Sequence, residues 1–187
     1  MIPILISIAI FTSVIIIAII INNQIIKKKN QVAQAFGSIE IYLKKRFDLI
    51  PNLVAMLNKY LAHEKEIMLK VTELRTKAEK ANNPQEKIEA SNELTKVMSG
   101  LNVNVENYPD LKADKQFSHL QHELTDIEDQ ISAARRAYNA AVTSFNNTIQ
   151  MFPASVVASF RKDKTQLLLE IPKEEQKEVN LNQLLNN

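Results

Sequence analysis

The sequence predicts an all-α protein, specifically a membrane-anchored, elongated up-and-down bundle of four helices whose first two meet at Pro51. Three observations carry that prediction. The chain of 187 residues holds only two glycines, too few for the hairpins and bulges of a β-rich fold. Residues 1–21, MIPILISIAIFTSVIIIAIII, contain no charged side chain. Beyond them, apolar residues recur every three or four positions over long stretches, which is the period of one helical face.

The first element is the anchor, assigned to residues 1–26. A run of about 20 apolar residues crosses the roughly 30 Å hydrocarbon core as a helix. It has no basic start, short core or small-residue cleavage site of the kind that marks a secretory signal. Lys27, Lys28 and Lys29 end it, and no Lys or Arg precedes it. The positive-inside rule then places the short N-terminus outside and the body, residues 27–160, in the cytoplasm. Residues 27–60 carry seven basic side chains against two acidic ones. This collar sits where anionic head groups would lie, so Lys27, Lys28 and Lys29 are the expected lipid contacts.

The body follows in order. Val32, Phe36, Ile39, Leu43, Phe47, Ile50, Val54, Leu57 and Leu61 form one stripe, continued by Met68, Val71, Leu74 and Ala78. Pro51 falls inside it. A helix running straight through proline loses a backbone bond and crowds the preceding turn, at a cost of about 3 kcal/mol. A break that puts Pro51 in the first turn of a new helix avoids this, because first-turn amides lack internal partners. The unbroken apolar phase argues instead for a kink. Asn83-Pro84-Gln85-Glu86 marks the next helix start, with Pro84 at its first position, and Ile88, Leu94, Val97 and Leu101 point inward. The last long helix starts near Asp110 or Asp114, either of which could cap it. Its stripe is Phe117, Leu120, Leu124, Ile127, Ile131, Ala134, Tyr138, Ala141, Phe145, Thr148 and Phe152, a three-four alternation of coiled-coil type. Pro153 ends it, a short helical turn follows in ASVVASF, and the charged tail 161–187 is expected to be disordered.

The chemistry-bearing residues are sparse. There is no cysteine, hence no disulfide framework and no thiolate zinc site. Glycine at 37 and 100 alone cannot build a phosphate loop. His119 and His122 share a helix with Glu123 and Asp126 but lack matched further ligands. His63-Glu64 begins like a zincin helix, yet Ile67 stands where the second histidine belongs. No nucleophile, base and oxyanion set is recognisable, so no enzyme activity, metal or cofactor is expected. Basic and aromatic residues are not interleaved, which argues against nucleic acid as a partner.

Three polar groups remain: Arg46, Asp48, Pro51 and Asn52 in RFDLIPN; Tyr108, Pro109, Asp110 and Lys112 in ENYPDLK; and Arg135, Asn139 and Asn146 along the last helix. A structural role suits them, since buried polar groups in bundles bond to loop backbone. A partner-docking surface is the functional alternative. In an up-and-down bundle the first two groups would share the tip far from the bilayer.

KKRFDLIPNLV, YLAHE, VENYPDLKADKQFSHLQHEL, ARRAYNAAVTSFNNTI and the final FP resemble, in order and spacing, the LemA family. The likeness covers about residues 1–160, with Phe36 where relatives tend to carry Trp. The resemblance implies a bacterial inner-membrane protein with one transmembrane helix and a cytoplasmic four-helix bundle. A magnetosome protein is similar, and some relatives are encoded beside a membrane metalloprotease. Its characteristic positions fall here on Arg46, Asp48, Pro51, Asn52, His63, Glu64, Tyr108, Pro109, Leu111, Lys112, Arg135, Tyr138, Asn139, Asn146 and Pro153, and the resemblance gives none of them a catalytic part. Together these readings describe a non-enzymatic scaffold or adaptor that presents a cytoplasmic bundle to a protein partner, with a membrane protease as one candidate and a second copy of the chain as another. The alternative is an anionic-lipid-binding or membrane-organising protein acting through the collar.

Overall fold

The computed structural model describes residues 2–60, 65–81, 84–104 and 108–169. Every regular element among them is helical: α1 Ile2–Asp48, α2 Ile50–Tyr60, α3 Lys65–Lys80, α4 Pro84–Asn104, α5 Pro109–Ala113, α6 Lys115–Gln150 and α7 Ala154–Arg161. Four helices were expected. Among the described residues there are seven segments, or six when α1 and α2 are counted as one rod interrupted at Leu49. His63, Glu64, Leu61 and the capping residue Asn83 lie outside the described residues.

Proline chemistry explains the interruption. Leu49 N–H reaches back only three residues, to the Arg46 carbonyl at 3.2 Å, and the ordinary four-residue bond resumes with Leu53 N–H to Leu49 at 3.1 Å. Pro51 is thus the second residue of α2, where its missing amide removes no helical bond. A reversal between antiparallel helices takes about 2–5 loop residues, and only Leu49 separates α1 from α2. The corner expected at Pro51 is therefore a kink. After it, Leu53 is buried with Ile50 and Leu57, and Val54 is only half-buried.

The chain forms two compact units. The first comprises the described residues through Tyr42 together with Glu128–Leu168; the second comprises Leu43–Ile127 and Leu169. In the first, Ile21, Ile25 and Val32 of α1 share a core with Val142, Phe145 and Ile149 of α6 and Ala158 of α7. Phe36 meets Tyr138 edge-on, ring centroids 5.9 Å apart. In the second, Leu43, Phe47, Ile50, Leu53 and Leu57 are buried, as are Val71, Leu74 and Ala78 of α3, Ile88, Ala90 and Leu94 of α4, and Phe117 to Ile127 on the α6 stripe. Within it α2 packs on α3, and α3 on α4.

Before Ile21 the helix is different. Ile4, Ile6, Ile8, Ile10, Phe11 and their neighbours to Ile20 are exposed, so α1 is long and apolar enough there to cross a membrane. Its hydroxyls are satisfied internally: Ser7 donates to the Pro3 carbonyl at 3.0 Å, Thr12 to Ile8 at 3.0 Å and Ser13 to Ala9 at 2.8 Å. Such back-bonding leaves no side-chain donor to seek water.

Two further expectations change. The inward stripe of α6 holds to Ala134 and then shifts by one residue, burying Val142 and Ile149 in place of Ala141 and Thr148. A straight helix drifts about 20° per heptad against a strict 3.5-residue repeat, so two successive four-residue steps, Ala134 to Tyr138 to Val142, restore the face. Phe152, expected inward, is 83% exposed because α6 ends at Gln150 before reaching it. The segment 163–169, expected to be disordered, is held. Asp163 pairs with Arg161 at 2.7 Å and Lys29 at 3.6 Å, and Gln166 docks on Asn146. Residues 170–187 lie outside the described residues.

Phe145 is 1% exposed in the first core. Truncating a buried phenylalanine removes both its transfer energy and its contacts, so Phe145→Ala should cost about 3–5 kcal/mol. Chemical denaturation followed by helical circular dichroism reads this as a lowered midpoint.

Candidate functional site

Arg46 is 3% exposed. Its Nη1 donates to Ser91 Oγ at 2.6 Å and to the Ser91 carbonyl at 3.3 Å, and its Nη2 donates to Thr95 Oγ1 at 2.8 Å. Thr95 Oγ1 in turn donates to the Ser91 carbonyl at 3.1 Å. The guanidinium thus ties the C-terminal end of α1 to the inner face of α4 by charge-assisted bonds. Asp48 accepts Lys44 Nζ at 2.7 Å on the surface. Pro51 and Asn52 are exposed.

Pro51 has a second role. With Ile50, Val54 and Ala55 it forms the apolar side of a groove of about 330 Å³, edged by Asn58 of α2 and by Thr72 and Arg75 of α3. Its walls are therefore two packed helices.

In the second group the described residues are Tyr108 to Lys112. Leu111 is fully buried and anchors the short α5, leaving Pro109, Asp110 and Lys112 exposed and Tyr108 half-buried. Asp114 just beyond is the hub. Its Oδ1 accepts the backbone N–H of Gln116 at 2.8 Å and of Phe117 at 3.3 Å, which caps α6. Its Oδ2 accepts the Tyr60 hydroxyl at 2.5 Å and lies 3.8 Å from Lys59 Nζ. The Tyr60 bond, then the Gln116 amide, hold its carboxyl below the usual carboxylate range. So the ENYPDLK segment leads into a junction with the C-terminal end of α2.

The third group belongs to the first unit. Arg135 is 1% exposed and Asn139 half-buried on α6. Asn146 is a backbone clamp: its Nδ2 donates to the Gln166 carbonyl at 2.9 Å and its Oδ1 accepts the Gln166 amide at 2.9 Å. Lys27, Lys28 and Lys29 follow the exposed apolar stretch of α1, and Lys29 is 3.6 Å from Asp163. His119 is exposed, 4.0 Å from Glu123. Among the described residues no group of three or more His, Asp or Glu side chains comes together to hold a metal.

Sequence reasoning missed Ser91, Thr95 and Tyr60, the acceptors and donor that complete these networks. A signal existed for Ser91 and Thr95. They are small hydroxyl residues four apart beside Leu94 on a helix face, where a purely apolar stripe would carry Ala or Leu.

Two tests follow. Ser91→Ala removes the shortest acceptor of a buried guanidinium and should cost about 1.5–3 kcal/mol, seen as a lower denaturation midpoint with unchanged slope. For Asp114 the sign is that of a depressed carboxylate: its stabilisation is full above the ordinary value of 3.8 and is lost as pH falls through the lower folded value. Asp114→Asn keeps a capping side chain but cannot ionise. The melting-temperature gap between wild type and this variant should be constant near pH 6 and close below about pH 4.

The comparisons agree with the resemblance noted above. Residues 35–182 match the LemA family, reaching past Arg161 into the tail, where no family pattern was expected. The chain is also similar to Protein LemA of Metamycoplasma hominis, with 30% identity over 138 residues. That alignment covers 73% of this chain and 63% of the relative, so the chain spans less than two thirds of the relative's length. Arg46, Pro51, Asp114 and Asn146 all fall within the matched region. The chain belongs to the LemA family.

Proposed function

We propose that this protein is a membrane-tethered helical scaffold, with no catalytic step of its own, that presents its second unit to a protein partner. The groove at Pro51 carries the reading. It combines an exposed proline, half-buried Val54 and exposed Ala55 with polar edges at Asn58, Thr72 and Arg75. That pattern, an apolar floor with a polar rim, suits an amphipathic segment of another protein. Arg46 supports it from behind by fastening the start of the kink to α4. The tether is α1 through Ile20, spanning the bilayer once with the N-terminus outside and the lysine collar on the cytoplasmic side. For this family member the membrane is the bacterial inner membrane, and a membrane protease or another copy of the chain is a candidate occupant.

A photoreactive amino acid at Ala55, expressed in the full chain in native membranes, tests the reading. A discrete cross-linked partner, identified by mass spectrometry and lost on adding Val54→Asp, is the expected result. Adducts no stronger than those from a probe at exposed Glu79 would sink it.

A further inference from the structure

The first unit leaves an apolar surface that its own core does not use. On α7 the inward side is Ala154, Val157 and Ala158, packed on the core that contains Ile21 and Ile25. The outward side is a row at four-residue spacing: Phe152, Val156 and Phe160, exposed by 83%, 49% and 86%, with Met151 at 67% beside it. Large apolar side chains in such a row mark a binding surface.

Its position says what covers it. If α1 spans a bilayer from Ile2 to Ile21, those 20 residues at 1.5 Å each fill about 30 Å, the thickness of the hydrocarbon core. The next residue, Asn22, accepts Arg161 Nη1 at 2.6 Å through its side-chain oxygen. The C-terminal end of α7 is therefore fastened at the level where hydrocarbon gives way to head groups. The only acid of this region among the described residues, Asp163, has a side chain 5% exposed and held by Arg161 and Lys29, while Lys27, Lys162 and Lys164 are exposed. Positive charge beside an apolar row is the composition of an interfacial helix on an anionic bilayer.

We propose that the α6–α7 turn and α7 form a second, monotopic membrane contact, with Met151, Phe152, Val156 and Phe160 inserted among the lipids around α1. This rests on the reading that α1 crosses the bilayer. The consequence is mechanical: α1 is held at its exit from the membrane on one side by α7, which sets how the first unit meets the bilayer.

The chain has no cysteine, so single labels are unambiguous. The full chain is reconstituted in vesicles of phosphatidylethanolamine and phosphatidylglycerol and labelled with an environment-sensitive fluorophore at Phe152→Cys or Phe160→Cys. Three positions on α1 serve as references: Ile10→Cys in the centre of the span, Ile20→Cys at its edge, and exposed Ile41→Cys about 28 Å beyond Asn22. Lipids bearing a shallow spin-label quencher should quench the α7 labels to within about twofold of Ile20→Cys and leave Ile41→Cys bright, while Ile10→Cys is read with lipids that carry the quencher near the acyl-chain end. Quenching at Ile10→Cys with α7 labels as bright as Ile41→Cys overturns the proposal and leaves the anchor standing. Blue-shifted α7 labels that lipid does not quench mean a second copy covers the row, which also overturns it. No quenching at Ile10→Cys removes the anchor and this inference together.

Discussion

Every amide of α1 from its second turn onward must find its acceptor within the same helix, and this constraint organises the rest of the molecule. A helix that continues from Ile2 to Asp48 cannot turn its apolar face at will, because each residue advances it by 100°, one part in 3.6 of a turn. Three environments therefore meet one continuous ladder. Through Ile20 the side chains face outward on all sides; from Ile21 to Val32 a single stripe is covered by α6 and α7; from Leu43 to Phe47 the stripe enters the second core. Only the first stretch is apolar all round, which distinguishes a span from an amphipathic helix.

Where the ladder is interrupted, polar chemistry is concentrated. Arg46 offers its carbonyl to Leu49 at the interruption and buries its guanidinium against Ser91 and Thr95. A buried cation without acceptors would be strongly destabilising, so it fixes the register of α4 more sharply than apolar contacts can, since those tolerate sliding. Asp114 does similar work at the other end of α2. One carboxylate caps α6 and receives Tyr60, joining a helix start to a helix end. Between these two fastenings lie Pro51 and its groove, on α2 where it packs against α3.

The residues on which the resemblance rests divide accordingly. Arg46, Leu111 and Arg135 are buried, and Asn146 clamps backbone. Pro51 and Asn52 remain exposed at the surface. A proline at the second position of α2 is sufficient for the kink, but its exposure also gives the groove a rigid apolar wall that no flexible side chain would supply.

The amino-acid order by itself determined the class of the fold and most of its core. Helical period placed Ile39, Leu43, Phe47, Val71, Leu74, Ile88, Leu94 and Phe117 to Ala134 inward, and all of them are buried. Pro84 opens α4, and of the two caps that turn chemistry offered for α6, Asp110 and Asp114, it is Asp114 that caps it. These features are local: propensity, capping and a repeating face act over a few residues. The tertiary structure alone decided the rest. Whether Pro51 reverses the chain depended on what α2 packs against, and it packs on α3 after a one-residue interruption. Arg46 meets Ser91 across 45 positions, Tyr60 meets Asp114 across 54, and Arg161 meets Asn22 across 139. No spacing rule encodes such pairs, because they are set by which helices share a core. The shift from Ala141 to Val142 belongs with them. A helix follows its own 3.6-residue geometry, and the partner it meets determines which neighbouring apolar residue is buried.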